Sequence, residues 1–438
     1  MAGTAKGDVT GVECAAAMAS RRQILTALGA LGLPLSTMTE LLAASKDSAK
    51  LKPVRVRTIT AGLELAPRGE SKRMESTLDF LAAAKRAFVN AGYEVQTLRI
   101  ATNPWLAEAA PRERQNLLAR LRELDKIVTE RGVILSVGPV LTEDRADESL
   151  PEWSSELIAT TESIHHSVVI ASPERAVHAT AATVAAKVMT KLTTTRNGGV
   201  ANFRFATAAN IPAGTPFFPV GWHRGPESIA IGVESASVVE HAYAGMSNGE
   251  DPTARLRQEL DKVLTPIERL ARDIAREHKR EYLGIDTSPA PGKDRSIGAA
   301  IEALTRAPFG SAGTLEACAA ITAALKSVSV TTCGYSGLML PVLEDPLLAQ
   351  RAGEGRFSVR DLLLYSSVCG TGLDVTPIPG DTPVEPIAGL LRDVAAQSVR
   401  LSKALSVRLF LVPGKKAGEM ARFTDHWMLT DSMVMKLD

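Results

Sequence analysis

From Val54 onward the chain alternates strand-like and helix-like segments, and nothing else in it restricts the fold so tightly. Val54-Arg-Val-Arg-Thr-Ile-Thr60 has the two-residue period of a strand, Met74 to Ala91 has helical spacing, and Tyr93-Glu-Val-Gln-Thr-Leu-Arg99 is strand-like again. The pattern recurs with a helix over Arg112 to Arg131 before Val133-Ile-Leu-Ser-Val137, a helix before Ser167-Val-Val-Ile170, and a helix over Ala176 to Leu192 before a strand at Val200 to Phe205. Neighbouring parallel strands need a crossover between them, so this alternation predicts an α/β fold: a mainly parallel sheet or barrel with helices outside. Further on, Leu256, Leu260, Val263, Leu264, Ile267, Leu270 and Ile274 share one face of an amphipathic outer helix over Thr253 to Arg280. Pro266 is expected to kink that helix, or to open a second one capped by Thr265. Tyr282 to Asp286 and Leu405 to Val412 read as later strands.

The 438 residues are 45% hydrophobic and only 4% aromatic, enough for a large aliphatic core. No internal repeat or low-complexity linker divides the body, so one interwoven domain is expected over residues 51–438. Fifty basic against 49 acidic residues leave a net charge of +1, without the Lys/Arg excess of phosphate-backbone binders, so nucleic acid is not an expected partner. No apolar run after residue 50 approaches the roughly 20 residues that cross a bilayer, and stable membrane insertion is not expected. Residues 1–50 differ in kind. Ser20-Arg21-Arg22-Gln23-Ile24-Leu25, a moderately apolar run to Leu35 and the small residues at Leu42-Ala-Ala-Ser45 together look like a twin-arginine export signal. The long stretch before it, with Asp8 and Glu13, keeps a cytoplasmic protein with an amphipathic N-terminal helix as the alternative.

Ser366-Ser-Val-Cys-Gly-Thr-Gly-Leu-Asp-Val-Thr-Pro-Ile-Pro-Gly-Asp-Thr382 has the composition of a site. Gly370 and Gly372 let backbone approach a ligand, proline stiffens the loop, and Cys369, Asp374 and Asp381 are then held in place; a tight structural turn is the plain alternative. Cys369 could act as a nucleophile, with Cys333 as its neighbour or disulfide partner. Cys14 lies in the leader, and the remaining three cysteines cannot complete a disulfide framework, so at least one is expected free; Cys318, in an apolar helical pattern, reads as core. His223 beside Arg224 could pair a proton carrier with an anion anchor, or His223 could simply bond a loop carbonyl. His165 and His166, just ahead of an apolar stretch, read as structural. Lys415 and Lys416, after a strand and a Pro-Gly turn, could bind a carboxylate or phosphate. Asp286, Glu344, Asp345, Asp374 and Asp381 make up the acidic inventory; two or three brought together could hold a divalent cation, or one could be a proton carrier. No phosphate-cradling Gly-Lys-Ser/Thr loop and no dinucleotide fingerprint is present, so no nucleotide cofactor is expected.

The same block, with Cys333-Gly-Tyr-Ser-Gly-Leu-Met-Leu-Pro-Val-Leu-Glu-Asp345, Gly214-Thr-Pro-Phe-Phe-Pro219 and Pro413-Gly-Lys-Lys-Ala-Gly418, resembles the domain-of-unknown-function-711 family, also called uncharacterised protein family 0210. The resemblance runs from about Val54 to the C-terminus. It implies a pyruvate formate-lyase-like fold, a large barrel-like mixed sheet of about ten strands enclosing a hairpin loop, and it implies no particular reaction. Radical chemistry is not expected, because Phe423-Thr-Asp-His-Trp-Met-Leu429 lacks the Arg-Val-x-Gly-aromatic segment that carries the radical glycine in that fold group. What the residues permit is acid/base or thiol chemistry on a small polar or anionic molecule, as a non-radical lyase or hydrolase. A noncatalytic metabolite-binding or regulatory protein is the alternative, a structural assembly protein the third choice, and a homo-oligomer is compatible with either of the first two.

Overall fold

A computed structural model describes residues 54–66, 71–174, 176–423 and 426–437. The leader with Arg21 and Arg22 lies outside the described residues. The first half follows the expected alternation: β1 (Arg55–Leu63), α1 (Ser71–Asn90), β2 (Val95–Thr102), α2 (Pro111–Asn116), α3 (Leu118–Glu130), β3 (Val133–Leu141), α4 (Leu150–Thr160), β4 (Ile164–Ser172), the short β5 (Ala176–Val177), α5 (Ala179–Leu192) and β6 (Phe205–Ala209). Two expectations change here. The helix over Arg112 to Arg131 is broken at Leu117, and most of Val200 to Phe205 lies in a 3-10 helix (Asn197–Arg204), with the strand starting only at Phe205.

The second half adds β7 (Ser228–Glu234), α6 (Ala236–Tyr243), α7 (Pro252–Glu277), β8 (Glu281–Asp286), α8 (Ile297–Thr305), α9 (Thr314–Lys326), α10 (Pro346–Gly353), α11 (Val359–Tyr365), β9 (Gly372–Pro379), α12 (Val384–Leu401), β10 (Leu405–Val412), β11 (Met420–Ala421) and β12 (Ser432–Met433). α7 runs unbroken through Pro266: Asp251 caps it by accepting from the Thr253 amide at 2.9 Å, and Leu256, Leu260, Leu264, Ile267, Ala271 and Ile274 are buried along one stripe. Thr265 caps nothing; its hydroxyl donates to the Asp261 carbonyl one turn back, at 2.7 Å. Among the described residues no helix is long and apolar enough to cross a membrane.

The sheet has ten strands in the order β8-β7-β1-β2-β3-β4-β6-β10-β9, with β5 on β4. β1, β2, β3, β4 and β6 run parallel, while the pair β7 and β8 on one flank and the pair β10 and β9 on the other run the opposite way. The two outer strands are brought toward each other by one segment. The Cys333 amide donates to the Ile285 carbonyl of β8 at 3.1 Å, while the Leu338 carbonyl accepts from Gly370, just before β9, at 3.0 Å. Gly337 and Gly370 meet there backbone to backbone, and a Cβ on either would overlap the other. The sheet is therefore strongly curled, barrel-like, with helices on its outside.

β10 shows how the curl sorts side chains. Leu405, Val407, Leu409 and Leu411 join the main apolar core under the helices, and Ser406, Arg408, Phe410 and Val412 alternate with them onto the inner face. A small apolar cluster built on Ala206, Ala208, Phe217, Val220, Tyr335 and Met339 fills one end of the interior, and another around Phe410, Phe423 and Leu429 fills the other. A charged layer lies between them.

Candidate active site

That layer surrounds a narrow, partly open cavity of about 50 Å³, room for roughly three to five waters or other non-hydrogen atoms. Its walls carry Arg57, Arg99 and Arg408 from the middles of β1, β2 and β10, His165 from β4, Asp374 from β9, and Glu344 from the segment that closes the sheet. Two β-bulges aim these groups. Between Val56 and Thr58 the register of β1 against β7 shifts, leaving Val56 and Ile59 in the outer core with Arg57 facing the cavity. On β9, Asp374 and Val375 together oppose Arg408 alone, with Val375 at φ +37°, and the slack sets Asp374 beside that arginine.

The charges are arranged unequally. Glu344 bridges two guanidinium groups, accepting from Arg57 at 2.9 Å and from Arg408 at 3.0 Å, while Arg408 Nε donates to Asp374 at 2.6 Å. Arg57 also donates to Gln96 at 3.1 Å and to the fully buried Glu234 at 3.5 Å; Glu234 in turn serves Arg55 at 2.8 Å. Arg99 forms no salt bridge with a carboxylate of the described residues. One of its terminal nitrogens donates to the Pro216 carbonyl at 3.0 Å, its guanidinium lies over the Phe218 ring at 5.2 Å, and its Nε has no partner among the described residues. Burial first, then Arg57 and Arg408, pull its pKa down to about 9. Arg57 and Arg408 are thus paired with Glu344, Asp374 and Glu234, and Arg99 is left as the buried cation without a carboxylate among the described residues, the electrostatic requirement for binding an anion.

Groups able to move or steer a proton surround this charge. Burial raises the Glu344 carboxyl above the usual carboxylate range, against the pull of Arg408 and Arg57. Tyr335 donates to Ser406 Oγ at 2.7 Å, Ser406 donates to the Thr371 carbonyl at 3.1 Å, and burial pushes the phenol up. His165 is held well below its usual pKa by burial, then by Arg204, Arg99 and Arg408, so it is neutral; its Nδ1 has no partner among the described residues. Neighbouring His166 points the other way, to Ser154 Oγ at 2.9 Å.

The residues singled out from sequence scatter. Asp374 and Glu344 line the cavity. Cys369 is fully buried in the outer core, and its neighbour there, Cys318, has its thiol pushed up by burial and by Cys369. The Cys369 backbone serves the fold: its amide donates to the Tyr365 carbonyl, closing α11, and its carbonyl accepts from Lys403. Cys333 is half-buried on another groove, away from Cys369 in the outer core, and Cys318, Cys333 and Cys369 are free thiols in the structure. Lys415, Lys416 and Asp381 are exposed. Cys369, Asp374 and Lys415 therefore share no hollow, because the core, the interior and the surface claim one each. Gly370 packs on Gly337, and Gly372 opens β9 opposite Ser406.

The other acidic residues organise backbone. Asp286 accepts from the amides of Ser288, Tyr335 and Ser336 and from the Ser288 hydroxyl, which fixes the closing segment. Asp345 caps α10 through Leu347 and Leu348 and also accepts from Ser296, Ile297 and Gly298. Among the described residues no three His, Cys, Asp or Glu side chains gather as a metal site; Glu344 and Asp374 meet, but with guanidinium groups between them, and Asp345 and Asp381 lie elsewhere. His223 is buried with its ring 3.1 Å from the Gly225 carbonyl and 3.3 Å from Ser228 Oγ, while Arg224 is exposed over the Trp222 ring at 5.2 Å, so the adjacent pair faces two different places.

Comparison with known proteins gives this arrangement a family. A protein from Pyrobaculum islandicum named UPF0210 protein is 30% identical over 368 residues, covering 79% of this chain and 81% of the relative. Namesakes from Oleidesulfovibrio alaskensis and Methanopyrus kandleri are 27% and 28% identical, covering 89% and 84% of this chain and 92% and 88% of their own. The model of the family described as Uncharacterised ACR (DUF711) matches residues 49–425, and the chain belongs to that family.

Proposed function

We propose that the protein is an enzyme acting on a small anionic substrate, with Arg99 as the anchor of the negative charge and Glu344 as the proton carrier. The observation that carries this reading is Arg99 itself: a buried guanidinium without a carboxylate among the described residues, facing a narrow cavity in which two other arginines are already neutralised. Evolved folds rarely leave such a charge uncompensated, because burying it costs several kcal/mol unless something pairs with it. Cavity size limits the charged part of the substrate to a few non-hydrogen atoms, as in a carboxylate or a small oxyanion. Glu344 is the acid/base because burial opposes its ionisation while two guanidinium groups keep it poised. Asp374 orients Arg408, and the hydrogen-bonded Tyr335 and Ser406 line the cavity beside it. The thiol of Cys369 has no part in this, since it faces the outer core.

A binding protein that captures the same anion without turnover is the second reading, favoured by Glu344 and Asp374 each being already engaged by arginine. Small carboxylates and oxyanions are screened for binding by thermal shift and for consumption by NMR. An enzyme predicts a compound that is consumed by the wild type and bound but not consumed by Glu344→Gln. Binding without consumption by the wild type supports the capture reading, and no binding by any member of the screen removes both.

A further inference from the structure

At the carboxyl ends of β3, β4 and β6 lies a second space, an open groove of about 720 Å³. It falls within the ordinary size range of ligand pockets and at the strand ends where α/β sheets commonly hold ligands. Val169, Ala208 and Ile211 give it an apolar floor, and Trp222 with Arg224 stacked on it forms one wall. The indole is fixed by donating its N–H to the Ile211 carbonyl at 2.9 Å. The groove and the inner cavity lie on the same face of the sheet: along β6, Ala206 lines the cavity and Ala208 the groove, and along β4, His165 lines the cavity and Val169 the groove. Among the described residues the segment 211–222 with its apolar cluster stands between them. Phe217 and Val220 close the cavity side, and Ile211 and Trp222 face the groove. Gly214 within that partition and Gly225 just after it are both at positive φ.

We infer that the groove is the outer half of one binding site, and that the ligand is an elongated carboxylate whose charged end reaches Arg99 and whose flat apolar body rests on Trp222. This rests on the proposed anion-binding role of Arg99. Two residues separate the cavity from the groove on β6 and four on β4, so the spacer between charge and body spans about 7–13 Å at ~3.3 Å per residue. Arg224 at the groove draws the anion in, and the partition gives way as the spacer passes between the two spaces.

The test uses the purified full chain and calorimetric titration with acetate, phenylhexanoate, phenyloctanoate and phenyldecanoate, whose extended chains cover that span. Expected results are weak acetate binding that Arg99→Met abolishes, and at least about tenfold tighter binding of the phenyl compound of matching length, from burial of its ring. Trp222→Ala removes that gain and leaves acetate binding intact, and Trp222→Phe, which keeps a ring on the wall, retains most of it. If acetate binds through Arg99 but no phenyl compound gains, or the gain survives Trp222→Ala, the elongated ligand is refuted and the inner anion site stands. If no carboxylate binds, or binding ignores Arg99→Met, the anion site fails and this inference fails with it.

Discussion

Replacing Arg99 by methionine should make the empty protein more stable, the reverse of the usual effect of altering a buried side chain. The fall of the Arg99 pKa from the usual guanidinium range to about 9 corresponds to roughly 4–5 kcal/mol against the charged form. A guanidinium does not escape this cost by losing its proton near neutral pH, so in the empty protein the cost is borne in full. Methionine fills much of the same space and removes it. Against that gain, the Pro216 carbonyl loses its 3.0 Å donor, at about 1–3 kcal/mol, and Phe218 loses its cation, at about 1 kcal/mol. The net expectation is a gain of about 0–3 kcal/mol. With an unfolding entropy near 2.1 cal/mol/K per residue, a body of this size raises its Tm by up to roughly 4 °C. Scanning calorimetry and urea titration in low-salt buffer at pH 7.5 measure it, with and without added acetate. Acetate should raise the wild-type Tm and leave Arg99→Met unmoved. A variant that loses more than about 1 kcal/mol, or that still responds to acetate, would show that Arg99 is a structural cation, and the anion-site argument would fall.

Two further outcomes follow from the buried groups. His165 and His166 are both held below their usual pKa by burial, His166 at about 3. For each of these two, the unfolded chain takes up a proton that the folded chain refuses as pH falls below about 6.5, so stability present above that pH is lost below it at about 1.4 kcal/mol per pH unit for each histidine, and His223 and His426, also held down by burial, add to the loss. Urea unfolding at pH 7.5, 6.0 and 5.0 should show a slope that His166→Gln lowers by about 1.4 kcal/mol per pH unit; an unchanged slope in the variant would reject the assignment. Cys369→Ala and the double variant Lys415→Ala, Lys416→Ala should bind acetate within about twofold of the wild type, because neither thiol nor lysines reach the cavity. The cysteine variant alone should lose about 1–2 kcal/mol of stability for the atoms removed from the core.

The fold was legible because hydrophobic period reports which elements exist and how they alternate, and the first four strands and their crossover helices sit within a few residues of their expected places. Where it failed, a local interaction outweighed the pattern. Val200 to Phe205 has strand-like residues, but its carbonyls and amides bond within a 3-10 helix, and side-chain type alone does not separate the two over so short a run. Pro266 deletes one hydrogen bond from α7, yet the buried stripe on both sides of it outweighs that loss, so the helix continues.

The site was harder to read for a related reason. Sequence reasoning favours loops rich in glycine and proline, and such loops here do mechanical work: Gly337 against Gly370 closes the sheet, and Asp286 ties down the segment that does it. The charged layer comes from strand interiors, where Arg99 stands in Leu-Arg-Ile and Arg408 in Val-Arg-Leu-Phe. A cation amid apolar strand residues is either exposed on an open face or enclosed in a curled one, and one strand alone does not say which. Three such arginines on strands expected to share a barrel would have said it, because a barrel has an inside. His165 and His166 carry the same lesson, since adjacent strand residues face opposite sides and only one of the two could be core. Once the sheet is known to curl, the alternation that predicted the fold also separates the core half of each strand from the chemical half. The two bulges are the exception, and they sit at Arg57 and Asp374, where regular alternation would have turned those charges into the outer core.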